Sequence, residues 1–250
     1  MSAPYELLAE VYDGGWFEYS EYVAGLVGEI EEERGAPFRR VCDAACGTGL
    51  LLMFLGDDES TERRLAGFDV SAAMLDRARE RLPGAGLAPG DLREGIPFHG
   101  PFDLITCVYD SLNYLLDAED VLRFFTAARG RLFSNGLFLV DFNTAEMYES
   151  RDGMEQPRLI GGLPFRESLR FDPGPPPLVT TTFEFPAGRE VHSQRPWEEE
   201  EIVGFLTQAG FRVLDTFDVV DPDSGAQGDG GPVDSGGETS GKVVCTAIPQ

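Results

Sequence analysis

Lysine is all but missing: the 250-residue chain holds one, Lys242, against 44 acidic residues, and its formal net charge is -24. A surface so short of cations repels nucleic acid phosphates and anionic membranes, which recruit basic patches. It suits a neutral or cationic small ligand, or it serves solubility alone, as in a salty cytoplasm. Long apolar runs are lacking too. No stretch approaches the roughly 20 apolar residues that cross a bilayer. The opening MSAPYELLAEVYDGG lacks a basic start followed by an apolar run, so no signal peptide is expected and the protein reads as cytoplasmic. Cysteine is sparse, and Cys42, Cys46, Cys107 and Cys245 stand in apolar, strand-like surroundings. The Cys-x3-Cys spacing, with no histidine or second cysteine pair nearby, is poor for zinc. All four read as reduced core thiols.

What is present is enough for one sizeable core, since 42% of the residues are hydrophobic. "YELLAEVY" and "YSEYVAGLVGEIEEERG" carry apolar residues at helical spacing. Apolar strand candidates then alternate with helical patterns: "FRRVCDA", "RLAGFDV", "GLA", "FDLITCVY" and "GLFLVDFN". Between them, "SAAMLDRARERL" begins at Ser71 and "AEDVLRFFTAARGRL" has Asp117 at its N-cap position. Strand and helix in alternation predict an α/β fold, a doubly wound, mostly parallel sheet. After Asn143 the texture changes to the β-leaning runs "RLIGGLPFRESLRF", "LVTTTFEF" and "REVHSQR", read as an antiparallel lid insertion. "PWEEEEIVGFLTQAG" is a well-marked helix with Gly210 as its stop, and "FRVLDTFDVV" and "KVVCTAI" make a closing strand pair. The Gly-, Asp- and Ser-rich stretch from 221 to 241 between them reads as a loop. The expected organisation is a helical cap over 1–36, an α/β domain over 37–156 and 196–250, and a β lid over 157–195.

"VCDAACGTG", residues 41–49, is a glycine turn after an apolar strand, the usual cradle of a nucleotide. It lacks the Gly-Lys-Ser/Thr ending of a P-loop. It also lacks a small residue three places after Gly49, where Leu52 stands, so a dinucleotide is disfavoured. Asp69 ends the second strand, twenty residues after Gly49, where a carboxylate can accept both ribose hydroxyls. Asp91 follows the third strand, where it can accept an adenine amino group. An adenosine held by two acids, without a phosphate device, points to S-adenosylmethionine, whose sulfonium suits acidic walls.

The blocks "VCDAACGTG", "GFDVSAAMLDRAR", "GDLREG" and "FDLITCVYDSLNYL" together make the chain resemble the class I S-adenosylmethionine-dependent methyltransferases. With "YELLAEVYD", the phrase "DSLNYL" is similar to bacterial small-molecule members. The resemblance covers residues 1–145 well and the rest in outline. It implies a seven-stranded Rossmann-like sheet of order 3-2-1-4-5-7-6 with the seventh strand antiparallel, and S-adenosylhomocysteine as product. It also implies that Ala45, Gly47 and Gly49 pass under the methionine and ribose portions and that Asp43 supports the turn. Asp69 and Val70 would meet the ribose end, Met74 the adenine face unless it is only a core residue, and Asp91 and Leu92 the adenine edge. Val108 and Tyr109 would border the methionine moiety. Ala45 departs from the family's first glycine, which matters only if the turn needs a positive φ there.

Methyl transfer mainly requires alignment and exclusion of water. Tyr12 is expected to cap the cofactor, Trp16 and Tyr19 to wall the acceptor, and Tyr5 and Phe17 to serve helix packing. Asp110, Asn113 and Tyr114 follow the fourth strand, where they could read substrate or cap the next turn. His192, in the lid, is the candidate general base beside Tyr12 and Tyr109, or else a lid residue with a structural hydrogen bond. His192 and Arg195 fall on opposite faces of an extended stretch, so at most one enters the pocket, and His192 is favoured. His99 precedes the fourth strand and lies at the wrong edge. Asp110, Asp141 and Asn143 could hold magnesium, but the Asp-Asn pair is interrupted by Phe142 and Lys242, in the last strand, is poorly placed as a base. No metal is expected. The expected partner is a small-molecule methyl acceptor on N or O, with no nucleic acid and no membrane, the protein being a monomer or homodimer. The alternatives are a non-catalytic cofactor-binding module and a tRNA or protein methyltransferase.

Overall fold

The computed structural model describes residues 5–57, 61–219 and 241–250. The stretch expected as a loop from 221 to 241 lies outside the described residues, Gly241 apart. Seven strands make the main sheet: β1 (Arg40–Ala44), β2 (Arg64–Asp69), β3 (Gly86–Pro89), β4 (Phe102–Cys107), β5 (Leu132–Asn143), β10 (Phe211–Asp218) and β11 (Lys242–Pro249). Their spatial order, β3-β2-β1-β4-β5-β11-β10, is the expected 3-2-1-4-5-7-6 counted within this sheet. β11 runs antiparallel to both β5 and β10, while the other pairings are parallel.

Period-two alternation on the strands builds a core on each face. On β5, Phe138, Val140 and Phe142 face helices α4 (Ala118–Arg131) and α6 (Glu199–Gln208), meeting Phe124, Phe125, Ile202 and Leu206. Leu137 and Leu139 face the other way, toward Tyr19, Val23 and Val27 of α1 (Glu18–Arg34) and Leu51, Leu52 and Leu55 of α2 (Leu50–Gly56). Each fully buried phenylalanine contributes on the order of 1.5–3 kcal/mol by leaving water. All four cysteines are free and buried within these cores. Helix ends follow the sequence signals. The Ser71 hydroxyl accepts Met74 N–H at the start of α3 (Ala72–Arg81), and Glu198 and Glu201 form a reciprocal capping box on α6. Asp117 occupies the N-cap position of α4 without a side-chain capping bond.

Two elements differ from the sequence reading. "YELLAEVY" forms short 3-10 turns at Leu8–Glu10 and Tyr12–Gly14 instead of an α-helix. The segment is cut short by Gly14 and Gly15 and pinned from outside, because Glu190 accepts the N–H groups of both Leu7 and Leu8. The lid has four strands rather than three: β6 (Glu155–Ile160), β7 (Leu163–Asp172), β8 (Leu178–Phe185) and β9 (Gly188–Gln194). Gly161 and Gly162, at φ 58° and 82°, turn the first β-leaning run back on itself, as a two-residue hairpin turn requires. α5 (Ala145–Glu149) links β5 to this sheet. Ile160, Phe165, Phe183 and Phe185 of the lid pack on Leu8 and Val11, so the N-terminal segment and the lid share a small core. No helix among the described residues is long and apolar enough to cross a membrane.

Candidate active site

A cavity of about 620 Å3 opens where the parallel strands end, within the ~300–1,000 Å3 usual for small-molecule sites. Its floor is the turn between β1 and α2. Ala45, Gly47 and Gly49 adopt φ 59°, 53° and 78°, so the turn does need a positive φ at the position held by alanine. Ala45 and Gly47 line the cavity. Gly49 is set back from it, where a Cβ would meet Leu82 Cδ1 at 2.9 Å.

Three carboxylates edge this end of the cavity: Asp43, Asp69 and Asp91. Asp69 accepts Gly47 N–H at 2.9 Å and Ser71 N–H at 2.8 Å, which ties the glycine turn to the end of β2. Burial raises its pKa against those bonds. Asp43 accepts the Thr106 hydroxyl at 2.7 Å. Burial pushes its pKa up to about 7; Thr106 opposes that shift and the charges of Asp69 and Asp141 add to it. Asp91 caps the turn that follows it through Arg93 N–H and pairs with the Arg93 guanidinium at 2.8 Å. Val70, Met74, Leu92 and Val108 complete the apolar wall.

The cavity also has a phenolic wall, Tyr5, Tyr12, Tyr109 and Tyr114, and the Tyr5 carbonyl lies 3.4 Å from the Ser71 hydroxyl beside Asp69. Tyr12 stacks on Trp16 with centroids 5.3 Å apart. Tyr109 and Asp110 are consecutive left-handed residues, at φ 60° and 48°, a conformation that costs ~1–2 kcal/mol each outside glycine. The buried Asp141 carboxylate offsets that cost. It accepts Tyr109 N–H at 2.8 Å, Asp110 N–H at 2.6 Å and the Tyr19 hydroxyl at 2.6 Å.

Several residues expected at the pocket stand off its wall. Tyr19 is fully buried and spent on Asp141. Trp16 turns toward Phe183 and the Arg158 guanidinium. Asn113 has no exposure, because its amide donates to the carbonyls of Asn143 and Arg195 and accepts Asn143 N–H, stapling β5 to the chain after the lid. Arg195 stacks 3.8 Å over the Trp197 ring and bonds Leu116 O and Glu201. Asp110 is engaged behind the wall by the Gln194 amide and by Lys242. His192 does not point into the cavity either. It is 2% exposed and stands behind Tyr114, whose hydroxyl is 2.8 Å from its Nδ1. His99 is exposed ahead of β4.

Lys242 is closer to the site than its place in the last strand suggested. β11 runs antiparallel, so its first residue pairs with Asn143 at the edge where the parallel strands end. The Asp110 and Asp141 carboxylates are taken by separate partners, and the Asn143 amide donates to the Tyr148 hydroxyl while its Oδ1 is buried without a hydrogen-bond partner. No cluster of three His, Cys, Asp or Glu residues that could hold a metal occurs among the described residues. Tyr5 was expected in helix packing, yet it lines the cavity, as do Ser20 and Ser111. Ser111 was findable as the neighbour of Asp110, whereas Tyr5 gave no local signal.

Residues 41–136 match the family model described as a methyltransferase domain. Over 237 residues the chain is 26% identical to "Putative methyltransferase YqeM" of Bacillus subtilis (strain 168), covering 89% of this chain and 93% of that protein. Over 113 residues it is 34% identical to the "dTDP-3-amino-3,6-dideoxy-alpha-D-glucopyranose N,N-dimethyltransferase" of Streptomyces fradiae, which is 43% of this chain and 42% of the relative. An S-adenosylmethionine-dependent methyltransferase structure from Clostridium acetobutylicum ATCC 824 aligns with a TM-score of 0.73 at 22% identity, over 98% of this chain and 95% of that one, and so shares the fold.

Proposed function

We infer that the chain is an S-adenosylmethionine-dependent methyltransferase and that it methylates a nitrogen or oxygen of a small, neutral or cationic molecule, a reading supported by the match of residues 41–136 to the methyltransferase-domain model. One observation carries the reading: a single cavity is lined by four carboxylates, Glu6, Asp43, Asp69 and Asp91, and by four tyrosines. The donor set fits the cofactor. Asp43, Asp69 and Asp91 suit a cation that also offers hydroxyl and amino hydrogens, and they repel phosphate. Asp69 would hold the ribose, Asp91 and Leu92 the adenine edge, and Val70 and Met74 its faces, above the turn of Ala45 and Gly47. S-adenosylmethionine, when bound, supplies a methyl carbon already activated by a sulfonium. Tyr12 and Tyr109 exclude water from the space beside it, and the acceptor stands against Tyr5 and Tyr114.

The relative from Streptomyces fradiae is named for an amino sugar, which favours an amine here as well. A nucleotide diphosphate handle is disfavoured. Near the cavity, Arg81 pairs with Asp13, Arg93 with Asp91 and Arg158 with Glu167, so these guanidiniums are already engaged. The net charge of -24 also argues against tRNA.

Calorimetry should show S-adenosylhomocysteine binding with no response to NAD or ATP. Asp69→Asn should weaken that binding by ~2–3 kcal/mol, the size of lost charge-assisted bonds. Labelled methyl from S-adenosylmethionine should appear on a member of a panel of small amines and alcohols. Label on tRNA alone would overturn the small-molecule reading.

A further inference from the structure

We propose that Tyr5, Tyr114, His192 and Glu190 form a proton path out of the cavity, in which His192 takes the proton that the acceptor loses and Glu190 positions and charges the imidazole. This rests on the cavity being the methyl-acceptor site. The contacts run in one line. The Tyr5 and Tyr114 hydroxyls are 2.7 Å apart, Tyr114 Oη is 2.8 Å from His192 Nδ1, and His192 Nε2 is 3.4 Å from a Glu190 carboxylate oxygen. Only the two phenols line the cavity. His192 and Glu190 are 2% and 0% exposed, against Phe183 and the Leu8 N–H respectively.

The direction of the bonds follows from the carboxylate at the far end. Burial works against ionisation of Glu190, but the His192 contact and the N–H groups of Leu7 and Leu8 outweigh it, so its pKa is lowered and it accepts only. His192 therefore presents Nε2–H to Glu190 and a lone pair on Nδ1 to Tyr114. The Tyr114 proton is then committed to Nδ1, so in the phenol pair Tyr5 is the donor. The Tyr5 oxygen is left with lone pairs for a donor in the cavity.

The step balances without any further reactant. The acceptor's lone pair forms the bond to the methyl carbon as the carbon–sulfur bond breaks, its electron pair staying on sulfur. The acceptor's proton passes to the Tyr5 oxygen, the Tyr5 proton to Tyr114, and the Tyr114 proton to Nδ1. One positive charge is lost at sulfur and one appears on the imidazole, opposite Glu190. Water replacing the product takes the proton back along the same bonds. Burial first, with the Asp110 charge adding to it, pushes both phenols well above the usual tyrosine value. Neither rests as a phenolate base; each releases its proton as it receives one. The titratable groups facing the path are Glu190, Asp110, Asp69 and Tyr148.

The chain has two histidines, and His99→Gln leaves His192 alone for nitrogen-15 NMR. Near neutral pH, Nε2 should carry the proton and Nδ1 should show the shift of an unprotonated acceptor. Tyr114→Phe should move the Nδ1 resonance toward that of a free lone pair. Glu190→Gln keeps an acceptor for Leu7 and Leu8 but should weaken the Nε2–H bond and move the Nε2 resonance. With the best amine of the acceptor panel, His192→Gln should slow turnover by ~100-fold or more while S-adenosylhomocysteine affinity holds. A protonated Nδ1, or unchanged turnover in His192→Gln, overturns the path. Failure of S-adenosylhomocysteine to bind the unaltered chain would instead overturn the methyltransferase reading, so the two failures are told apart.

Discussion

Lys242 Nζ stands 3.5 Å from Asp110 Oδ1, and the lysine is fully buried. It also lies 4.7 Å over the Tyr19 ring, beside the strained turn that presents Tyr109 to the cavity. Asp110 is partly exposed and keeps the Gln194 amide, so leaving its charge without Lys242 costs less than breaking a fully buried pair, ~1–3 kcal/mol. Lys242→Met should therefore lower the urea midpoint by a loss of that size. In the folded protein Lys242 should resist an amine-reactive ester and react once unfolded, as read by mass spectrometry of its peptide. Rapid native labelling would mean that the ammonium is not enclosed.

Ala45 holds a left-handed conformation at the first position of the glycine turn. Alanine pays ~1–2 kcal/mol for that, and glycine returns ~0.4–1 kcal/mol through its freer unfolded chain. Ala45→Gly should thus stabilise the protein modestly in chemical denaturation, against the usual sign of such a change. A clear loss of stability would show that the alanine is not strained.

The Asp43 carboxyl, with its pKa raised to about 7, makes the cofactor-free protein pH-sensitive. The unfolded value is ~3.9, so between those two values the folded state binds the extra proton. This group therefore favours folding most at low pH and loses that contribution as pH rises through 7. Asp43→Asn, which keeps an acceptor for Thr106, should raise the melting temperature relative to the unaltered protein more at pH 8 than at pH 5.5. Cation binding should release a proton near pH 6 in the unaltered chain, measured by calorimetry in buffers of different ionisation enthalpy. Equal melting differences at both pH values would count against it.

The sheet order and the carboxylate-lined turn of the cavity were legible because their signals are local. An apolar strand, a glycine turn and an acid at the end of the next strand lie within about thirty residues of one another, from Val41 to Asp69. On the phenolic wall, Tyr12, Tyr109 and Tyr114 were legible, but the line from Tyr5 through Tyr114 to His192 was not, because these residues meet only once the lid packs on the N-terminal segment. Tyr19 and Asn113 had the right residue type near the right strand, but burial and a full set of internal bonds gave them to the scaffold. Lys242 was misjudged on direction alone: in a sheet of parallel strands, the first residue of the one antiparallel strand lands at the reactive edge.

The N-terminal segment brings Tyr5 and Tyr12 to the cavity, and its second fastening lies at the glycine turn. Asp13 accepts the Thr48 hydroxyl at 2.6 Å and the Arg81 guanidinium, and Arg81 also donates to the Thr48 carbonyl. Thr48 sits between Gly47 and Gly49, so these bonds clip the segment to the turn that would carry the cofactor. Asp13→Ala removes the centre of a half-exposed network worth ~1–2 kcal/mol, a factor of roughly 5–30 in an equilibrium. The opened clip should speed S-adenosylhomocysteine dissociation by up to about that factor and lower global stability by no more than the same ~1–2 kcal/mol, since the β-lid contacts of Leu8 and Val11 remain. Trp16 stacks on Tyr12, so its fluorescence in stopped-flow can report the release. An unchanged dissociation rate in a folded Asp13→Ala protein would mean that the ligand leaves by a route the segment does not cover.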